Sequence, residues 1–279
     1  LYLAASNGSR AAVVLAASRG SGLDAVTVDR PKVMLPIAGK PLLRWLVDSF
    51  KKESVNDITV VGGYRADVIN TGGIRLVLNE RYAASGELAS LACAMDTLSP
   101  EAETVISYGD LLFRSHVLRD LLETPADFAV VVDSSPTDDT NRTVRDFAFC
   151  SEGDDRGLFS AKVLLRRVSS TVPQSSACSA ASDATQGRFI GLLKVSRAGL
   201  SRLAAVLERL KQRPDFDALD VPALLNALLA DGAEIEVLYV HGHWRGVNDL
   251  EDFRLASDFA HGQTPLADAA GAAREDRGQ

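Results

Sequence analysis

The chain has 279 residues, 46% of them hydrophobic and 24% charged, with a formal net charge of -7 at pH 7. That length suits one large domain. The acidic balance excludes an extended nucleic-acid surface, which needs clustered Lys and Arg, and no apolar run approaches the ~20 residues that cross a bilayer. The opening "LYLAASNGSR" lacks the charged start and long apolar stretch of a secretory signal. Cys93, Cys150 and Cys178 share no ligand-like spacing, so three reduced thiols and a cytoplasmic setting are expected.

In chain order, residues 1–10 read as a leader segment. Short buried strands are expected at 11–17, 57–63, 74–79, 104–110 and 127–133, from runs such as "AAVVLAA" and "DFAVVVD". Between them, "PLLRWLVDSFKK" puts Leu42, Leu43, Leu46, Val47 and Phe50 on one helical face, and "GELASLACAMDTL" repeats the pattern over 86–98. Strand and helix in alternation predict an α/β fold with a mainly parallel central sheet flanked by helices. Strands at 158–168, 188–196 and 234–240, with helices near 197–211 and 217–230, make the second half mixed and more antiparallel. The Ser/Ala-rich stretch 169–187 reads as a loop or lid. Residues 11–260 form the domain, and 261–279 read as a flexible tail or a linker to a domain outside this chain.

The loop "SRGSGLDAVTVDRPK" follows the first strand, where a parallel sheet opens its ligand crevice. Gly20 and Gly22 let backbone N–H groups converge on an anion. No Gly-Lys-Ser/Thr closes the loop, so it is not a P-loop. "GSGLDA" fits a dinucleotide-binding Gly-x-Gly-x-x-Ala, but that reading needs a helix to begin inside a stretch broken by β-branched residues and prolines. Pro31 fixes the backbone before Lys32, so the ammonium projects from a defined point.

At this point the chain resembles the nucleotidyltransferases of the sugar-phosphate and phosphocholine class. Their pattern is a strand, a Leu-Ala-Ala-Gly-x-Gly-x-Arg loop, a Thr, then Pro-Lys-x-Met/Leu-x-x-x-x-Gly-Lys-Pro. Thr27, Pro31, Lys32, Met34, Gly39, Lys40 and Pro41 fall in step, while Ser18 and Gly22 stand where the family has Gly and Arg. The missing Arg would grip the outer phosphates, and it keeps open a degenerate nucleotide-binding module as an alternative to an enzyme. "VISYGDLLF" matches the family segment whose Asp binds the catalytic Mg²⁺, here Asp110. "NERYAASGELASL" resembles the segment that holds base and ribose, with Ser85 expected to cap the helix. "HWRGVNDLEDF" aligns the second metal ligand with Asn248, beside Asp249. His241 and His243 read as structural or rim residues, since no third ligand accompanies them.

The resemblance implies a Rossmann-like nucleotidyltransferase fold over roughly 11–260. "GELASL" and "GRFIGLLKVSRAGL" narrow it to cytidylyltransferases of phosphonates or phosphocholine, several of which are fused to phosphoenolpyruvate phosphomutase. It implies transfer of CMP from CTP to a small acceptor, a phosphonate such as 2-hydroxyethylphosphonate, with phosphocholine or a sugar 1-phosphate as the alternative. Lys32 is then the catalytic residue. Ala16, Ala17, Ser18, Arg19, Gly20, Ser21, Gly22, Lys32, Glu87, Ser90 and Asp110 bind the nucleotide, and Mg²⁺ lies on Asp110 with Asn248 or Asp249. Arg142, Lys162 and Arg188 are weaker candidates for gripping the acceptor, because a phosphonate pocket in an acidic protein needs local cations.

Overall fold

Helical stripes and strand runs alternate as the sequence predicts. The structure, a computed structural model, describes residues 9–20, 22–135, 146–154, 162–170 and 187–262. Strands β1 (Arg10–Ala16), β4 (Asp57–Gly62), β5 (Arg75–Leu78) and β6 (Glu103–Tyr108) are parallel neighbours in the order β6-β1-β4-β5. The short β2 (Pro36–Ile37) and β3 (Lys40–Pro41) pair with each other beside the sheet. Strands β8 (Phe128–Asp133), β9 (Phe147–Cys150), β10 (Leu165–Ser169) and β11 (Gly187–Val195) bring the antiparallel part. β11 pairs with β6, β8 and β9, and β12 (Ile235–Val240) returns parallel to β8.

Five helices cover the two faces. α1 (Leu42–Lys52) buries the five predicted apolar residues and packs with α3 (Ser115–Glu123) on one face. α2 (Glu87–Ala94), α4 (Arg197–Lys211) and α5 (Val221–Ala230) close the other face over Leu88, Leu203 and Leu225. Ser196 and Asp220 start α4 and α5 by accepting the backbone N–H of Gly199 and Ala223, which satisfies donors that a helix start leaves orphaned. A third cluster holds α6 (Leu250–Ala260) against Leu23, Leu35 and Ile37, next to a small antiparallel pair, β7 (Leu111–Phe113) with β13 (Trp244–Gly246).

Several boundaries differ from expectation. β5 is an edge strand with Leu78 52% exposed, because it has a partner on one side only. The helix expected over 86–98 is α2 followed by a 3-10 turn at Met95–Thr97. Ser85 does not cap α2, whose N-cap is Gly86. Its hydroxyl instead donates to the Arg81 carbonyl and accepts from Asn79 Nδ2. Residues 158–161 and most of the loop 169–187 lie outside the described residues, as do 1–8 and 263–279, and the strand expected over 158–168 begins only at Leu165. After β1 the chain turns through 22–30 and its first helical turn is Lys32–Met34, so no helix opens the glycine motif and the dinucleotide-binding alternative falls away.

A bulge in β11 shapes the site. Register with β8 shifts between Phe189 and Leu193, and Gly191 there has φ +94°. A Cβ at Gly191 would lie 2.2 Å from the Tyr108 ring, so glycine makes the room that Tyr108 occupies.

Candidate active site

The carboxyl ends of β1 and β6 open into a cleft of about 340 Å³. Ala16, Ala17, Ser18, Lys32, Glu87, Ser90, Asp110 and Asn248 all line it, so segments far apart in sequence meet at one place. Asp110 reaches the cleft because β6 ends at Tyr108 and Gly109 donates its N–H to the Leu15 carbonyl at 2.9 Å. Val247 N–H donates to the Asp110 carbonyl at 2.9 Å, which locks Asn248 beside Asp110. The Asn248 N–H in turn donates to the buried Asp252 carboxylate at 2.9 Å.

Lys32 comes in from the opposite wall. Pro31 is extended with φ -73° and ψ 158°, and Lys32 opens the 3-10 turn behind it. Its ammonium donates to Asp110 Oδ2 at 2.5 Å and to Asn248 Oδ1 at 2.8 Å, and the residue is 7% exposed. A buried lysine needs such partners, since an unpaired charge there would be costly. Two hard oxygens, one anionic and one amide, therefore already converge on a cation. That donor set suits Mg²⁺, which takes one or two protein oxygens and completes its shell with phosphate and water. Among the described residues no group of three His, Cys, Asp or Glu side chains could hold a metal.

The second wall is acidic. Tyr108 OH donates to Asp146 Oδ2 at 3.0 Å, and Glu87 Oε2 accepts the Val221 N–H at 3.0 Å. Burial is the first cause that pushes Glu87 up to about 7, with the charges of Asp146 and Asp220 adding to it. Burial likewise raises Asp146 to about 6, and it drives the Tyr108 hydroxyl upward. Asp146, Tyr108 and Tyr82 line the cleft; Tyr82 falls in the segment that resembles the family's base and ribose site, while Asp146 and Tyr108 were missed from sequence. A Tyr that ends a buried strand just before Gly-Asp was the only available signal. Asp146 sits in no periodic or motif context. Glu87 and Ser90 do not occupy a solvated helix face: the Ser90 hydroxyl is buried and accepts from Asn79 Nδ2 at 3.0 Å.

The remaining sequence candidates are placed differently. Arg19 is exposed, 3.5 Å from Asp24 and with its guanidinium 5.3 Å from the Tyr64 ring centre. Gly20 packs against the stem of Lys32. Gly22 has φ +89°, and a Cβ there would lie 3.2 Å from the Asn248 carbonyl, so a family-type Arg at this position would be strained in this loop. Asp249 does not line the cleft with Asn248. It is the first cap of α6, and its Oδ1 accepts the Asp252 N–H at 2.8 Å. Lys162 lies outside the cleft, where its ammonium donates to Glu234 at 3.0 Å. Arg188 is the second residue of β11, opposite Asp133 and Phe147 and two residues from Ile190 in the cleft wall. Ser21 and Arg142 lie outside the described residues. His241 and His243 do not line the cleft, and the His243 ring packs edge-on against His116 with centroids 4.8 Å apart.

Comparison with known proteins gives concordant results. The MobA-like NTP transferase domain matches residues 12–219. A CTP:phosphoglutamine cytidylyltransferase of Campylobacter jejuni is 24% identical over 261 residues, covering 88% of this chain and 98% of the relative. A choline-phosphate cytidylyltransferase of Streptococcus pneumoniae is 30% identical over 114 residues, 39% of this chain and 49% of the relative. Among solved structures, the S. pneumoniae CTP:phosphocholine cytidylyltransferase aligns with a TM-score of 0.66 at 18% identity, over 90% of this chain and 99% of that one. The inositol-1-phosphate CTP transferase of T. maritima aligns with a TM-score of 0.69 at 18% identity, over 92% and 98%. At such identity the likeness establishes the shared fold. Among the described residues no helix is long and apolar enough to cross a membrane.

Proposed function

Given that the chain belongs to the MobA-like NTP transferase family, we propose that it transfers the cytidylyl group of CTP to a small acceptor bearing a phosphate or phosphonate, releasing pyrophosphate. The observation that carries this reading is Lys32, held by Asp110 and Asn248 in the lining of the cleft. CTP as donor is supported by two relatives whose names specify cytidylyl transfer, one of them aligned over nearly its whole length.

The chemistry follows from charge. An acceptor oxyanion attacks the α-phosphorus, a new P–O bond forms, and the bond to the β-phosphate breaks with its electron pair leaving on pyrophosphate. The nucleophile is already anionic near neutral pH, so no strong general base is required. The barrier is repulsion between two anions, and positioned positive charge lowers it. Lys32 supplies that charge at the α-phosphate or the attacking oxygen. The backbone from Ala17 to Gly22 cradles the outer phosphates, taking over from the absent Arg. Ser90 and Glu87, beside Tyr82, form the side of the cleft assigned to cytidine. Mg²⁺, held by Asp110 and Asn248, would neutralise phosphate oxygens and orient the chain of phosphates.

For the acceptor, the reading is a phosphonate, with 2-hydroxyethylphosphonate first. The supporting feature is the Gly86–Leu91 segment, and pairing with a phosphoenolpyruvate phosphomutase rests on that same resemblance. Phosphocholine is the second reading, favoured by the names of the S. pneumoniae relatives. Phosphorus NMR with Mg²⁺, each of CTP, UTP, ATP and GTP, and a panel of 2-hydroxyethylphosphonate, 2-aminoethylphosphonate, phosphocholine and glucose 1-phosphate tests both. A phosphonate–phosphate anhydride formed with CTP alone establishes the first reading. Turnover only with a phosphate monoester selects the second, and silence across the panel leaves a nucleotide-binding module.

A further inference from the structure

We infer that Lys32 keeps the metal seat closed until a triphosphate arrives. Its ammonium is the resident counter-ion of Asp110 and Asn248, so the nucleotide-free protein does not take up a divalent cation and the metal enters only with the nucleotide. This rests on the reading of Asp110 and Asn248 as the protein's metal ligands, and it adds an order of assembly that the reading does not contain.

Lys32 Nζ sits 2.5 Å from Asp110 Oδ2 and 2.8 Å from Asn248 Oδ1, engaging an oxygen of each side chain. A Mg²⁺ ion would need those oxygens at roughly 2.1 Å, which puts the ammonium and the metal within a few ångströms of each other. The backbone that carries both side chains is fixed. The Asp110 backbone is tied to Val247, and the Asn248 N–H to Asp252. Lys32 is equally constrained, rising from the turn behind Pro31 with its stem packed on Gly20, where an added Cβ would come within 3.0 Å of Cδ.

Charge gives the same result. Lys32 and Asp110 cancel, and Asn248 adds nothing, so a divalent ion beside the 7% exposed Lys32 would add two positive charges that this pair does not compensate. The other carboxylates around the site are engaged: Asp252 accepts the Asn248 N–H, Asp249 the Asp252 N–H, Asp146 the Tyr108 OH and Glu87 the Val221 N–H. A nucleoside triphosphate reverses the balance. Its oxygens offer the ammonium a new partner, release Asp110 and Asn248, and supply the charge that allows lysine and metal to coexist.

Manganese(II) is the probe, because the EPR signal of the free ion falls as it binds. Wild-type protein without nucleotide should bind Mn²⁺ at least ten-fold more weakly than Lys32→Met, and adding Asp110→Asn to the Met variant should abolish binding. Wild type binding Mn²⁺ as tightly as Lys32→Met overturns the inference, and so does a Met variant that gains nothing. A second readout needs no lysine variant. In ¹⁵N-lysine-labelled wild type, the Nζ resonance that Asp110→Asn removes should stay put with Mg²⁺ alone and shift with Mg²⁺ plus CTP; a shift with Mg²⁺ alone refutes the closed seat. Turnover measured on the same preparation judges the cytidylyltransferase reading separately. An active enzyme that loads Mn²⁺ without nucleotide sinks only this inference, and an inactive protein with a closed seat sinks only the function.

Discussion

Glu87→Gln isolates the electrostatic cost of the acidic wall. In the folded chain burial raises the Glu87 carboxyl from 4.5 to about 7. Between those values the native state holds a proton that the unfolded chain has released, so stability falls as pH rises through the window. By linkage the ionised side chain costs about 3 kcal/mol at pH 8 and under about 1 kcal/mol at pH 5, where the unfolded group is only partly ionised. Gln has the same shape and still accepts the Val221 N–H that Glu87 Oε2 accepts at 3.0 Å, so the substitution removes the charge and little else. Urea unfolding followed by circular dichroism at pH 5, 6, 7 and 8 reads the effect. Glu87→Gln should be stabilised by about 2–3 kcal/mol at pH 8, with the gain shrinking steadily toward pH 5. A gain independent of pH, or a loss at pH 8, would show that Glu87 is ionised at no cost in the native cleft.

Lys32→Ala should stay folded and lose at least about 10²-fold in kcat, the scale of removing one preorganised charge donor; a variant that retains turnover would displace Lys32 from the chemistry. Asp249→Ala should lose about 1 kcal/mol in urea unfolding by uncapping α6, whereas Asp249→Asn should keep both stability and Mg²⁺-dependent turnover. A collapse of turnover in the Asn variant would make Asp249 a ligand after all. Lys162→Ala should leave kcat and the acceptor KM unchanged, because its ammonium faces Glu234 outside the cleft. Gly191→Ala drives a Cβ into the Tyr108 ring at a φ of +94°, and should cost about 1–3 kcal/mol in stability and raise KM through the displaced cleft wall.

How far the sequence carried depends on the range over which each feature is encoded. The first helix was legible to the residue, because its apolar spacing is a local property and Pro41 and the closing Lys51-Lys52 mark its ends. β1, β4, β6 and β8 came within two residues of their expected bounds for the same reason. β5 was misjudged as buried because its residues are strand-forming whether the strand is central or at the edge, and only the sheet order decides which. Lys32, Asp110 and Asn248 were each legible as family positions. Their mutual contact was not, since the partners lie 78 and 216 residues from Lys32 and no local pattern records the direction of a side chain. Asp249 shows the converse case. Its neighbour aligned with a metal ligand, yet "DLED" at a helix start is also the pattern of a cap with acidic residues in its first turn, and the cap is what forms. The acidic wall was least legible of all. Glu87, Tyr108 and Asp146 are brought together by α2, the end of β6 and the start of β9, and the space between them exists because β11 bulges at a glycine. A site of this kind is specified by the packing of the sheet, so single-position substitutions in that sheet, Gly191 foremost, should alter the acidic wall of the cleft while leaving the Lys32 side intact.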